Sequence, residues 1–379
     1  MSKTTYNLPP RVWLEVDLAA LKDNFQKLSA AAAPARVMAV IKADAYGMGG
    51  LPVARALSAA GAARFAVAVP DEAFALAPLG LPVQILGAVL PNEIPALVRA
   101  GIVLPLCDLA SARRISDEAR RQGTTARGHL KIDIGMGRLG IRLAEAPGVI
   151  RAIRALPALV CEGIYAHLPL ADRLGDPGLT SRQIDSFSSV IDMLGREGIT
   201  FEYCHVANSD ALTYFPQVSH PPFNLVRTGI HLHGIYDHEG SRKLGLRPVL
   251  TLKTRLAACR RLPAGSTLGY GATCRLEHDT MVGTITAGYA DGLPLALSNR
   301  GHVLIGGRVC PVIGRISMDY ATVSLEQAPD AAPDDEVVCL GGTGPQAVTV
   351  ESWARLKGTH AYEIICSFGK RVSRCYTDT

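Results

Sequence analysis

The chain has 379 residues, 48% of them hydrophobic and 19% charged, with a formal net charge of +5. That length allows two domains, because one core rarely grows beyond about 250–300 residues, and the composition excludes a disordered or fibrous chain. No Lys/Arg block interleaved with aromatics suggests nucleic acid as a partner, and no charge-free apolar stretch of about 18 residues suggests a membrane span.

The opening MSKTTYNLPP lacks the apolar segment and small-residue cleavage site of a secretory signal, so a cytoplasmic protein is expected. Behind Asp17, a candidate N-cap, Leu18, Leu21, Phe25 and Leu28 recur at helical spacing. From Val37 to about Leu232, short β-like runs then alternate with helical patterns, the signal for βα units around a parallel sheet. The runs fall at 37–41, 65–69, 83–86, 102–106, 129–133, 162–167, 203–208 and 225–232. Eight such strands predict a closed (β/α)8 TIM-type barrel, here preceded by an extra helix. Ile184, Phe187, Ile191 and Leu194 mark one of the connecting helices.

After about Gly245 the pattern changes to β-branched runs punctuated by Gly and Pro, with one helix near residue 351. The predicted division is a barrel over 12–245 and a smaller, mostly-β domain over 246–379, with a contribution open to residues 1–11. Nine cysteines, with no CxxC and the nearest pair at Cys366 and Cys375, read as buried, reduced thiols.

In such a barrel, chemistry gathers where the strands end at their C-terminal side. VIKADAYG places Lys42 there, and a partly desolvated lysine can form a Schiff base with an aldehyde cofactor. Taken alone, a lysine snorkelling at a strand end is the commoner explanation. Ser209 in ANSDA reads equally as a helix N-cap. His231 and His233 share one face of the last predicted strand, but no third ligand follows at useful spacing, so no metal is expected.

WLEVDLAALKDN followed by AVIKADAYGMG resembles the N-terminal signature of the alanine racemase family. KIDIGMGRLG, YAHLPLAD, HVANSDA, NLVRTGIHLHGIY, LGYGAT, AGYADGLP, GRISMD and HAYEIICSFGKRV follow in the family's order and span nearly the whole chain. The resemblance implies an isomerase that interconverts L- and D-alanine by two-base proton transfer on a substrate joined to pyridoxal 5'-phosphate. It also implies a homodimer with shared active sites. Lys42 would carry the cofactor as a Schiff base and act as one base. Tyr270 of the partner subunit would be the other, its pKa lowered by nearby cations, with His167 as its neighbour against the cofactor ring.

By the same resemblance Tyr46, Asn208, Ser209, Gly229, Ile230 and Tyr362 hold the cofactor, and Arg227 faces its pyridine nitrogen. An arginine can donate to that nitrogen but cannot stabilise its protonated form, which makes the ring a weaker electron sink. Arg138 would bind the substrate carboxylate, Met318 would add a backbone donor and Tyr289 of the partner subunit would help line the entrance. Lys131 would be carbamylated, holding Arg138 in place. Met48, where histidine is frequent, and HLPLAD, where small residues are usual after HL, depart from the family pattern and leave substrate breadth open. A serine or broad-specificity racemase and a non-catalytic carrier of the cofactor are the alternatives. A related barrel decarboxylase would need a carboxylate in place of Arg227. Cell-wall synthesis and D-alanine catabolism are both open as roles.

Overall fold

The computed structural model describes residues 8–171, 176–236 and 243–378. Residues 1–7, read above for a secretory signal, and Asp172 of YAHLPLAD lie outside them. The chain divides into two compact units, Leu21–Gly234 with Arg242–Arg247, and Met1–Ala20 with Ile235–Ser241 and Pro248–Thr379.

The first strand, β1 (Val12–Asp17), was not read from the sequence. It belongs to the second unit, so the stretch from Val12 to Ala20 lies outside the barrel that the sequence reading extended over 12–245. Its partners explain why: they are more than 200 residues away and leave no local signal. The barrel strands are β2 (Arg36–Val40), β3 (Phe65–Val67), β4 (Val83–Ile85), β5 (Leu104–Leu106) and β6 (Ala126–Asp133). After a short β7 (Ile141–Arg142) beside β6 come β8 (Leu159–Tyr165), β9 (Tyr203–His205) and β10 (Leu225–Thr228).

All pairings among the eight are parallel, in two runs, β10-β2-β3-β4 and β5-β6-β8-β9. Two seams close the barrel. Val103 donates to Val83 O at 2.9 Å across one, and Arg227 donates to Ala207 O at 3.2 Å across the other. The predicted run 225–232 ends early: β10 stops at Thr228, and after Gly229 the chain turns through a 3-10 segment, Ile230–His233. His231 and His233 therefore sit on a helical turn and not on one strand face. Among the described residues, no group of three or more His, Cys, Asp or Glu is placed to hold a metal ion.

The helices form for local reasons. Asp17 accepts from Ala20 N–H at 2.8 Å at the start of Leu18–Ala32, whose Leu21, Phe25 and Leu28 are buried. Asp176, ahead of Pro177, caps Pro177–Arg196, which buries Ile184, Phe187, Ile191 and Leu194. No helix among the described residues is long and apolar enough to cross a membrane.

In the second unit, β1 lies between β11 (Leu250–Leu262), antiparallel, and the last strand of the chain, Ser373–Thr377, parallel. A small hairpin, β12 (Thr267–Leu268) and β13 (Cys274–Arg275), precedes β14 (Thr280–Ile285), which pairs with β11 through a bulge at Leu256/Ala258. β15 (His302–Ile305), β16 (Arg308–Pro311), β17 (Ala321–Ser324) and β18 (Glu336–Leu340) complete this mostly-β unit. The helix expected near 351 spans Val350–Lys357. All nine cysteines are free thiols, but they are not uniformly buried: Cys366 is exposed, because Ala361, Ile364 and Ile365 form the buried face of its short helix.

Candidate active site

The turn after β2 has an unusual backbone. Ala43, Asp44, Ala45 and Tyr46 all lie in the left-handed region, with φ between 53° and 57°, although none is glycine and each such residue costs about 1–2 kcal/mol. Side chains hold the turn. Glu72 accepts from Asp44 N–H at 3.2 Å and from Ala68 N–H at 2.9 Å, while Asp44 accepts from Gly50 N–H at 2.5 Å. The result leaves Lys42 exposed at the end of β2 and packs Tyr46 into the interior beside Gly229.

A Cβ on Gly229 would overlap the Tyr46 hydroxyl, so the close approach needs glycine at this position. Gly229→Ala is expected to displace Tyr46 and to destabilise the barrel by about 1–3 kcal/mol, as overpacking does. Thermal unfolding of the cofactor-free protein measures this. Asn208, not Ser209, is the N-cap of the helix Ser209–Tyr214, accepting from Ala211 N–H at 2.9 Å. The Ser209 hydroxyl is thereby left to accept from Gly229 N–H at 3.0 Å. Ile230 is buried at the next position.

Arg227 is buried, and its NH2 donates to Ala166 O at 2.8 Å and Val206 O at 3.1 Å and reaches His167 Nδ1 at 3.5 Å. Burial lowers its pKa to about 10, so it stays protonated at neutral pH. Burial and then the cations of Arg227, Lys131, Arg138 and Lys42 push His167 down to about 3, leaving a neutral imidazole. Lys42 follows β2, Lys131 lies near the end of β6 with Arg138 in the loop after it, His167 follows β8 and Arg227 stands near the end of β10, so these five groups share one end of the barrel. Lys131 is buried with its ammonium 4.5 Å from the centre of the Tyr165 ring, and burial, followed by Arg227, lowers its pKa to about 8. Arg138 is exposed on a loop folded round Asp133, which accepts from Gly135 N–H at 2.9 Å and Gly137 N–H at 3.1 Å.

Tyr270, Tyr289, Met318 and Tyr362 belong to the β-rich unit. Tyr270 is 73% exposed, in a turn flanked by two positive-φ glycines, Gly269 and Gly271, and beside an open cleft of about 350 Å³ that Arg315 and Tyr320 help to line. Tyr289 and Met318 are joined: Tyr289 N–H donates to Ser317 O at 3.1 Å and Ala290 N–H to Met318 O at 3.1 Å. Arg371 fixes both segments, pairing with Asp291 through Nε at 2.7 Å and NH2 at 2.9 Å, and with Asp319 at 2.7 Å. Tyr362 meets His360 edge to face at 5.8 Å. Glu72, His205, Asp291 and Arg371 were not singled out from the sequence. His205, Asp291 and Arg371 fall inside the HVANSDA, AGYADGLP and FGKRV motifs, but the partners that give them their roles, such as Arg227 for His205 and Arg371 for Asp291, lie 22 to 80 residues away and leave no local signal; Glu72 lies in no motif.

The family profile described as alanine racemase, N-terminal domain, matches residues 16–237, and that of the C-terminal domain matches residues 249–376. The alanine racemase of Syntrophobacter fumaroxidans is 40% identical, over 94% of this chain and 95% of its own length. That of Carboxydothermus hydrogenoformans is 39% identical, over 96% and 99%. The crystal structure of alanine racemase from D-cycloserine-producing Streptomyces lavendulae superposes with a TM-score of 0.90 at 36% identity, covering 98% of each chain. One from Bartonella henselae, with covalently bound pyridoxal phosphate, gives 0.85 at 26% identity, over 97% of this chain and 100% of that one. With both family profiles matched in order and full-length relatives well above 30% identity, the chain belongs to the alanine racemase family.

Proposed function

We propose that this protein interconverts L- and D-alanine with pyridoxal 5'-phosphate carried on Lys42, as a cytoplasmic homodimer. The observation that carries this is the convergence of Lys42, Arg227, His167, Lys131 and Arg138 on one barrel end, in a chain whose relatives are named alanine racemase.

The barrel residues fit the cofactor. Lys42 places its amine at the end of β2, and the Ser209 hydroxyl, which accepts from Gly229 N–H, has its own proton to give to an anion. The contact of Gly229 with Tyr46 brings a second hydroxyl to the same place. Buried, protonated Arg227 can donate to a ring nitrogen but cannot stabilise its protonated form. When bound, the cofactor supplies an electron-withdrawing ring that acidifies the substrate's α proton.

The chain's own residues then do the rest. The Lys42 amine takes or returns the α proton on one face of the substrate carbon, and the hydroxyl of Tyr270 of the partner subunit serves the other face. Arg138 holds the carboxylate, with a backbone donor from Met318 of the partner subunit, and Tyr289 of the partner subunit lines the way in. Arg227 keeps the ring a modest electron sink, which favours quick return of the proton over side reactions. Racemisation of a panel of L-amino acids, followed by chiral chromatography, tests this: turnover should be fastest with alanine, and no turnover of any of them overturns the reading.

Lys131 belongs to the same proposal as a carbamate. Carbon dioxide reacts with a neutral amine, and a pKa of about 8 leaves roughly half of this lysine neutral at pH 8, against well under 1% for an ordinary lysine. The cations Arg227 and Arg138 that depress its pKa would stabilise the anion formed. Protein equilibrated with ¹³C-bicarbonate is expected to show a carbamate carbon signal that Lys131→Ala lacks. The signal should grow as pH rises through about 8, and its absence from the native protein would refute the assignment.

A further inference from the structure

Behind Arg227, the barrel interior holds a line of polar groups that the proposed reaction does not use. Arg227 NH1 lies 2.8 Å from His205 Nδ1, His205 Nε2 lies 2.8 Å from His129 Nδ1, and His129 Nε2 lies 3.0 Å from Glu162 Oε1. His129 and His205 are fully buried and Glu162 nearly so. The line descends the barrel: Arg227 stands near the C-terminal end of β10, whereas Glu162 pairs with Arg64, which immediately precedes β3.

Only one arrangement of protons satisfies this line. A guanidinium has no acceptor, so Arg227 must donate and His205 Nδ1 must be bare. The His205 proton is then on Nε2 and is given to His129 Nδ1. His129 in turn carries its proton on Nε2 and gives it to the Glu162 carboxylate. Each link forces the next, from a cation at one end to an anion at the other. The rings cannot easily turn to escape this, because Tyr165 stacks on His205 with an interplanar angle of 6° and Tyr203 stacks on His129 at 13°.

The electrostatics agree with the geometry. Burial holds both imidazoles below their ordinary pKa, and therefore neutral. Burial alone would raise Glu162, but hydrogen bonds from His129 and Arg64 outweigh it and hold the carboxyl at about 2. Arg127 adds a further contact at 2.5 Å.

We propose that His129 and Glu162 are positioning residues for Arg227, acting through His205: a one-way hydrogen-bond chain anchored deep in the barrel fixes the guanidinium that faces the proposed cofactor ring. The role for the ring rests on the reading of the chain as a cofactor-dependent racemase; the proton arrangement does not. An ion pair that merely braces the barrel would not impose it.

Solid-state ¹⁵N NMR of histidine-labelled protein, with and without pyridoxal phosphate, tests the arrangement directly. His129, identified by its loss in His129→Phe, and its hydrogen-bonded partner His205 should both be neutral, protonated at Nε2 and bare at Nδ1. This should hold from about pH 5 to about pH 8, where an ordinary imidazole titrates. A proton on Nδ1 of either ring, or a charged imidazole, overturns the proposal. The second arm is kinetic. His129→Phe keeps a ring against Tyr203 and leaves Glu162 with Arg64. It should lower kcat and pyridoxal-phosphate affinity about tenfold, the cost of one hydrogen bond in a charged chain, with KM for alanine within about twofold. Glu162→Gln, which keeps an acceptor oxygen but not the charge, should fall in between. A loss of thermal stability with kcat and cofactor affinity unchanged in both variants also overturns it. Should either variant fail to fold, or the native protein fail to turn over alanine, the tautomer measurement on the native protein decides alone.

Discussion

Lys42→Ala is expected to abolish the visible absorbance of the cofactor-loaded protein and to lower racemisation by about 10³-fold or more. The general acid–base part alone accounts for about 10²–10⁴, and the variant also loses the amine proposed to anchor the cofactor. The fold should survive, because the Lys42 side chain is exposed and the left-handed turn begins one residue later, at Ala43. Since a bound cofactor itself stabilises the protein, the comparison of melting temperatures belongs to the cofactor-free forms, where the two should agree within a few degrees. Borohydride reduction followed by peptide mapping supplies the independent check. The pyridoxyl group should be found on Lys42, and finding it on another lysine removes the assignment.

Mixing two dead variants should restore activity. Lys42→Ala and Tyr270→Phe homodimers are each expected to be nearly inactive, since each would remove one of the two proposed bases from both sites. If each site takes Lys42 from one subunit and Tyr270 from the other, a mixed dimer has one site with both defects and one with neither. Unfolding and refolding an equal mixture makes about half the dimers mixed, and one intact site in each gives roughly a quarter of native activity. Refolded controls that recover fully while the mixture stays dead would show that the bases are not shared. The 73% exposure of Tyr270, an aromatic side chain in a glycine-flanked turn, fits a residue that a second subunit covers.

Much of the barrel was legible because its strands are short, mostly apolar runs set between helical patterns, and because some of the helices carry their own caps, as Asp108, Asp176 and Asn208 do. What escaped was whatever depends on distant partners or on backbone sign. β1 reads as the approach to a helix, since VWLEVD gives no hint that its neighbours are Leu250–Leu262 and Ser373–Thr377. KADAY has the composition of an ordinary helical turn, and its left-handed course is set by Glu72 and Asp44 through bonds that spacing does not reveal. The buried polar line left a fainter trace. Arg127, His129, Lys131 and Asp133 alternate along β6, and Tyr203 and His205 along β9, which is the two-residue period of side chains sharing a strand face. A polar face of that kind inside a barrel must be satisfied by its neighbours, but which strand supplies the partner cannot be known before the barrel closes.

The left-handed turn also constrains the order of events in the life of the protein. Four non-glycine residues in that region cost about 4–8 kcal/mol together, comparable with the net stability of a whole domain, about 5–15 kcal/mol. A chain still emerging from the ribosome, with β2 made but Glu72 not yet packed, cannot sustain that conformation. Nor can it hold Tyr46 against Gly229, which is synthesised some 180 residues later. Nascent chains therefore present Lys42 as an ordinary flexible lysine, and the proposed cofactor capture would follow barrel closure.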